Sequence, residues 1–274
     1  MTISASLKAH FAIFARVAHI PVLDASEGAP QGSRYFGKPW LPVTTDWPLY
    51  EDEPMNFILQ IDLAEIPPQD GLPRSGLLSL FVAEDWEEDF SHAACFISPV
   101  DGSPAGLRDH PEGREVADPV WISHYMPVVE HPGFASLYEK EPGTEKVEDH
   151  PDLANGELDD LMSDWVGMVR LSTGEIVNEK EAIESGAPYD YHCFYADKLG
   201  GWPNWMQGPE TPNDSNDEPM IMVMQLGGDG GLVAGGGGMV LGEGALEENP
   251  YLGGRGHIFY SPKTGELLYG YACD

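Results

Sequence analysis

The sequence predicts a mainly β, internally duplicated fold, with two similar repeats in a pseudo-twofold relation and a few peripheral helices. Three observations predict it. Gly 32 and Pro 24, with few long helical patterns, favour a turn-rich chain. In Asn56 to Leu63, the apolar Phe57, Leu59, Ile61 and Leu63 alternate with Ile58, Gln60 and Asp62, the period of a half-buried strand. Pro54 and the Pro67-Pro68 pair punctuate its two ends. The same phrase then returns at a constant offset of 165 residues, carrying Pro54 to Pro219, Met55 to Met220 and Gln60 to Gln225. At that offset Phe57, Leu59 and Ile61 fall on Met222, Met224 and Leu226, so the apolar face keeps its parity.

The elements follow in chain order. Ser6 is placed to cap a short helix in which Leu7, Phe11, Phe14 and Ala18 recur at spacings of three and four, with Lys8 and Arg16 outward. Ser33 to Pro42, then Asp46-Trp47-Pro48, interleave Gly and Pro with aromatics, which specifies a tightly turned loop that packs its own rings. Such a loop is either a rigid surface turn or, through Arg34, Trp40 and Trp47, an exposed anchor for a partner. Gly71 to Gly76 reads as a turn and Gly76 to Val82 as a buried strand. The acidic run Asp85 to Asp89 reads as a solvated loop, and strands around Ala93 to Ile97 and Val116 to Ile122 complete the first unit.

Val129 to Leu161 is the most polar and acidic tract, a boundary between halves or an insertion. The expected division is therefore a first repeat at 1–130, a connecting region at 131–190 and a second repeat at 191–274, all in one compact unit. Asp159 to Val169 and Ile176 to Ile183 read as short helices of the connecting region. The second repeat opens with Lys198 to Gln207, whose Trp202 and Trp205 answer the Gly37 to Trp40 loop and join the candidate anchors. Asn213 to Asp217 lacks the glycine and twelfth-position glutamate of a calcium loop and reads as a solvated turn. Gly227 to Gly244 has neither GxGxxG spacing nor a following Gly-Lys-Ser/Thr, so a flexible hairpin or insertion replaces the phosphate-loop reading. Gly256 to Tyr260 is the counterpart of Gly76 to Leu80, and the turn Ser261 to Gly265 leads into a last strand, Glu266 to Cys273.

Fourteen basic residues stand against 46 acidic ones, a net charge of −32. Such a surface repels phosphate backbones, which excludes nucleic acid as a partner. Two explanations remain: solubility in a salty cytoplasm, or a partner protein with a basic surface, steered in by complementary charge. Cys95, Cys193 and Cys273 are too far apart for a disulfide framework and suit a reducing compartment. No run approaches the roughly 20 apolar residues of a membrane span. Phe11 to Leu23 is interrupted by Arg16 and His19 and lacks a cleavage pattern, so the expected location is the cytoplasm, away from any membrane.

No catalytic constellation rises from the sequence, and the expectation is a protein that is not an enzyme and holds no cofactor or metal. His192 and Cys193 are neighbours, and neighbours on a strand point to opposite faces. His92 and Cys95 lack a second pair at zinc spacing. Gln60 and Gln225 either face each other across a crevice between repeats, offering paired amides to a ligand, or cross-bond neighbouring strands.

Ser33 to Pro42, Phe57 to Leu63 and Leu72 to Leu78, followed by Asp197 to Pro203 with Gln207 and Met224 to Leu226, resemble the signature of YwqG-like proteins, bacterial proteins of unknown function. The resemblance covers nearly the whole chain. It implies a mainly β, internally duplicated fold without established enzymatic activity. Its distant eukaryotic relatives, similar to programmed cell death protein two, chaperone a ribosomal protein in the cytoplasm, and some bacterial members are thought to be immunity proteins against toxins. Three departures stand out. Cysteine pairs carried by many relatives are replaced here by Glu51-Asp52-Glu53 and Asn213 to Glu218, Asp197 occupies a common histidine position, and Gly254-Arg255-Gly256 replaces an acidic turn.

The resulting reading is a non-catalytic protein-binding module, chaperone-like or of the toxin-immunity type, whose acidic surface receives a basic protein. Its candidate contact residues are Arg34, Trp40, Trp47, Gln60, Trp202, Trp205 and Gln225. The alternative is a small-molecule binder or enzyme working in the crevice between repeats.

Overall fold

The computed structural model describes residues 9–24, 28–69, 71–83, 93–100, 102, 104–113, 116–133, 136, 144, 168–171, 173, 175–187, 189–192, 196–205, 208–226 and 254–273. The chain enters through a short helical segment that ends in the 3-10 turn Ala12–Phe14, and β1 (Arg16–Asp24) follows. Then come β2 (Arg34–Tyr35), β3 (Trp40–Pro42), β4 (Leu49–Tyr50), β5 (Glu53–Pro54), β6 (Asn56–Asp62), β7 (Leu77–Val82), β8 (Ala93–Ser98) and β9 (Ala105–Leu107). β10 (Val120–Glu130), β11 (Met168–Leu171) and β12 (Ile176–Asn178) lead to helix α1 (Glu179–Ser185). β13 (Tyr189–His192), β14 (Lys198–Gly200), β15 (Ile221–Leu226), β16 (Gly254–Tyr260) and β17 (Leu267–Cys273) complete the order. The fold is mainly β, and among the described residues no helix is long and apolar enough to cross a membrane.

The predicted strands at 76–82, 93–97, 256–260 and 266–273 lie on β7, β8, β16 and β17. Three helical expectations are corrected. The N-terminal helix does not reach Ala18: Ala15 is extended, and Val17, Ile20 and Val22 supply the β-branched run of β1, where Ala18 pairs with Gly200. Ile176 opens β12 rather than a helix. The helix begins only after Asn178, whose side chain caps it by accepting from Lys180 N at 3.0 Å. Ser6, Leu7, Lys8, the 85–89 cluster, Cys193, residues 159–167 of the helix expected over Asp159 to Val169, and the 227–244 segment lie outside the described residues. The described end of that expected helix is strand instead, because Met168 and Val169 open β11 and pair with Asn178 and Val177 of β12.

The chain divides into two compact units, one of Met1–Ile20, Pro127–His257 and Ala272–Asp274, the other of Pro21–Met126 and Ile258–Tyr271. In the second of these, β10, β2, β6, β7 and β8 are successive antiparallel neighbours. Arg34 stands opposite Gln60 on one side and Trp121 on the other, and Tyr35 opposite Leu59 and Val120. The core packs Leu41, Trp47, Met55, Phe57 and Phe81 together. β6 is buried from Phe57 through Ile61, so both its faces are covered and not one, as the alternation predicts. Its polar Gln60 is buried completely.

In the other unit β14 lies between β1 and β15, and β16 flanks β15. Lys198 stands opposite Gln225 and Leu199 opposite Met224. A small core joins Ile20, Val128 and Ala196. β11, paired with β12 and β13, carries Val169 and Leu171 against Ala182 of α1.

Candidate functional site

Two buried cations, each opposite a buried glutamine, organise the polar interior. The first is Arg34 on β2. Its neighbours Phe36 and Gly37 both take left-handed backbone, at φ +55° and +74°, which turns the chain sharply back toward the side chain it has just placed. The guanidinium Nη1 donates to the carbonyls of Pro30 at 2.8 Å and Gly32 at 3.0 Å, and Nη2 donates to the carbonyl of Lys38. Its carbon lies 5.1 Å from the Trp121 ring centroid and 5.9 Å from that of Phe57. Among the described residues no carboxylate pairs with it. Burial lowers its pKa to about 10, with no compensating charge.

Arg34 lines a cavity of about 550 Å³ with Trp121, Pro30, Lys38, Asp109 and Asp118. Lys38 Nζ and Asp109 Oδ1 form an ion pair at 2.6 Å, and both side chains are open to solvent, so they mark the rim. A Cβ on Gly28 would come within 2.6 Å of the Trp121 ring, so the absent side chain is what lets the indole lie where it does.

The second cation is Lys198 on β14. Its Nζ donates to both carboxylate oxygens of Glu130, at 2.9 and 2.8 Å, and both side chains are buried. Trp202 N also donates to Glu130 Oε2, at 3.0 Å. Burial pushes the Glu130 carboxyl above its ordinary value, and Lys198 and the Trp202 amide pull it back. Gly200 and Gly201, at φ +63° and +75°, make the same double left-handed turn as Phe36 and Gly37.

The glutamines have matching bonds. Gln60 Oε1 accepts from Trp40 N at 2.9 Å, and its amide donates to the carbonyls of Gln31 and Gly32 at 3.2 and 3.4 Å. Gln225 Oε1 accepts from Asn204 N at 2.8 Å, and its amide donates to the carbonyl of Ala196 at 3.0 Å. Both side chains bind main chain within their own unit, Gln60 that of Trp40 on β3 and of the turn before β2, Gln225 that of residues flanking β14.

The expectation of exposed aromatic anchors is corrected. Trp47 is buried, donates from Nε1 to Met55 O at 2.9 Å and meets Phe81 and His110 edge-on. Trp202 is 1% exposed, donates from Nε1 to Phe14 O at 2.8 Å and lies under the Arg16 guanidinium. Trp205 is buried against His257, with ring centroids 4.8 Å apart. Trp40 is half-buried on β3, opposite Leu107 of β9. Rings this deep serve the core, because the Gly- and Pro-rich loops fold inward over them. Arg34, Gln60 and Gln225 are likewise interior.

Sequence reasoning missed Glu130, Lys198 and Trp121. Glu130 reads as one more acid at the edge of an acidic tract. Its one distinguishing signal is the apolar Val128-Val129 step before it, and even that does not reveal a partner 68 residues away. Among the described residues no group of three or more His, Cys, Asp or Glu side chains could hold a metal ion. Cys95 is a free, half-buried thiol, and desolvation raises its pKa above the ordinary value.

A family model described as a domain of unknown function (DUF1963) matches residues 33–106, which run from Ser33 beside Arg34 through β6 and β7 into β9. No curated protein matches the chain. The matched stretch, 74 of 274 residues, is similar to an uncharacterised domain family and includes Arg34 and Gln60 but neither Lys198 nor Gln225.

Proposed function

We propose that the chain is a YwqG-like, internally duplicated protein of the cytoplasm that acts without catalysis, docking a basic partner protein on its acidic exterior. Its role is of the chaperone or toxin-immunity type. The duplication is supported by the paired local geometry: cation opposite glutamine, double left-handed turn, and glutamine oxygen on the amide six residues after the cation. The hydrogen bond from Met55 N to Pro48 O has its counterpart from Met220 N to Pro212 O, just ahead of each repeated strand.

The observation that carries the binding role is the hairpin joining β4 to β5. Its two central residues, Glu51 and Asp52, hold φ of +49° and +71° and are exposed, followed by exposed Glu53. A two-residue hairpin with both φ values positive favours Asn-Gly, and side chains such as these cost on the order of 1 kcal/mol per residue there. Carboxylates kept in a strained tip serve something other than folding. Leu49, 55% exposed, adds an apolar flank on the same hairpin. In the other unit Asp217 holds φ +61° in an exposed turn closed by the Asn213–Pro219 bridge, beside exposed Glu218.

The test compares the native chain with E51N/D52G/E53Q as tagged baits in cells of the source organism. The native bait is expected to retain a basic protein at low salt and release it at high salt. The variant should be at least as stable and should lose that partner. Equal recovery by the two baits, or no basic protein at low ionic strength, overturns the reading.

A further inference from the structure

The Arg34 cavity belongs to a single unit and is independent of the acidic exterior. A guanidinium has five N–H donors, and three of those on Arg34 are engaged by the carbonyls of Pro30, Gly32 and Lys38. Among the described residues no acceptor takes the remaining two. The contrast with Lys198 is instructive: the cation at the matching register position is neutralised by Glu130, and Arg34 is not. A charge 1% exposed and without a counter-ion is a costly arrangement in an apolar setting. It becomes favourable when an anion enters.

We infer that the cavity above Arg34 binds a small monocarboxylate with a flat apolar body, the carboxylate on the guanidinium and the body against Trp121 and Pro119. The chemistry of each wall supports that class. A carboxylate matches the planar donor geometry of a guanidinium. Trp121, Pro119, Val116 and Leu107 supply apolar surface, and about 550 Å³ is the size of an ordinary small-molecule site. Lys38 is already paired with Asp109, and Asp118 adds a second acid to the lining. Among the described lining residues Arg34 is thus the one unbalanced cation, enough for one negative charge, and the two acids disfavour a dianion such as phosphate.

Titration calorimetry and side-chain ¹⁵N NMR with phenylacetate, phenylacetamide and inorganic phosphate test this. Phenylacetate should bind saturably and shift the Arg34 Nε and Trp121 Nε1 signals, with the uncharged amide bound at least tenfold more weakly and phosphate not bound. R34M should abolish acid binding. A117W, at an exposed position in the lining, should also weaken it at least tenfold without touching Arg34, which keeps the test decisive if R34M fails to fold. Equal binding of acid and amide, binding of phosphate in preference to the acid, no saturable binding, or indifference to A117W overturns the inference.

Discussion

Lys198 Nζ lies 2.9 and 2.8 Å from the two carboxylate oxygens of Glu130, and solvent reaches neither charge. A pair so placed is held by mutual dependence, since removing one partner leaves the other charged in a medium that cannot solvate it. K198M is expected to lose about 3–5 kcal/mol, and E130Q/K198M to recover much of that loss. The K198M variant also acquires a pH dependence. Without the lysine, only the Trp202 amide still opposes burial at Glu130, and its folded pKa rises further above 4.5. The folded state then holds the proton more tightly, so stability is greatest below about 4.5 and declines as pH rises through the folded value. Urea unfolding of the three proteins at pH 4 and pH 7 checks both statements, and a K198M variant equally stable at both would refute the second.

Gln60→Leu and Gln225→Leu remove matching bonds but should not be equal in effect. The bonds from Gln225 to Asn204 N and Ala196 O are fully buried, and those of Gln60 are partly so. An orphaned buried amide costs about 1–3 kcal/mol, and water can replace the lost partner more readily near Gln60. Gln225→Leu is expected to be the more destabilising. Native-state hydrogen exchange of the Asn204 amide should accelerate in it more than that of Trp40 does in the Gln60 variant.

Strand β6 was legible because its period of two, its proline borders and its echo at β15 are local signals. The lone glutamine in each of the two strands was legible for the same reason, as a polar residue recurring inside an apolar run. The depth of the tryptophans was not. Gly and Pro around Trp47 and Trp202 specify a tight turn but say nothing of whether it folds over the core or away from it. Long-range pairing was also hidden. Ala18 meets Gly200 and Glu130 meets Lys198 across long stretches of chain, and no spacing rule connects them. The cavity over Arg34 depends likewise on Trp121, brought beside β2 only by the register of β10.

Gly201 offers a sharp contrast with Gly265. Both hold left-handed φ, +75° and +77°. A Cβ at Gly265 would meet nothing within 4 Å, so Gly265→Ala should cost only the backbone strain, about 1–2 kcal/mol. A Cβ at Gly201 would strike Glu130 Oε2 and come within 2.7 Å of Ala18 Cβ, both in the interior. Gly201→Ala should therefore add the displacement of the Glu130–Lys198 pair to that strain and cost several kcal/mol. Thermal unfolding of the two variants side by side measures the difference, and near-equal losses would mean that Glu130 has room to move.

His257 sets the behaviour of the fold in acid. It is buried beside Trp205, and burial first, with Lys198 and Arg255 adding to it, lowers its pKa to about 3. The unfolded chain titrates near 6.5. Between those values the unfolded state binds the proton and the folded state does not, so this residue's contribution is full above about 6.5 and is lost as pH falls toward 3. The loss across the window is on the order of 5 kcal/mol at most. H257Q is expected to be less stable than the native chain at pH 7, and the gap should narrow steadily as pH falls from 6.5 to 4. Parallel denaturant curves across that range check the slope, and a gap that stays constant would show that His257 carries no titration of its own.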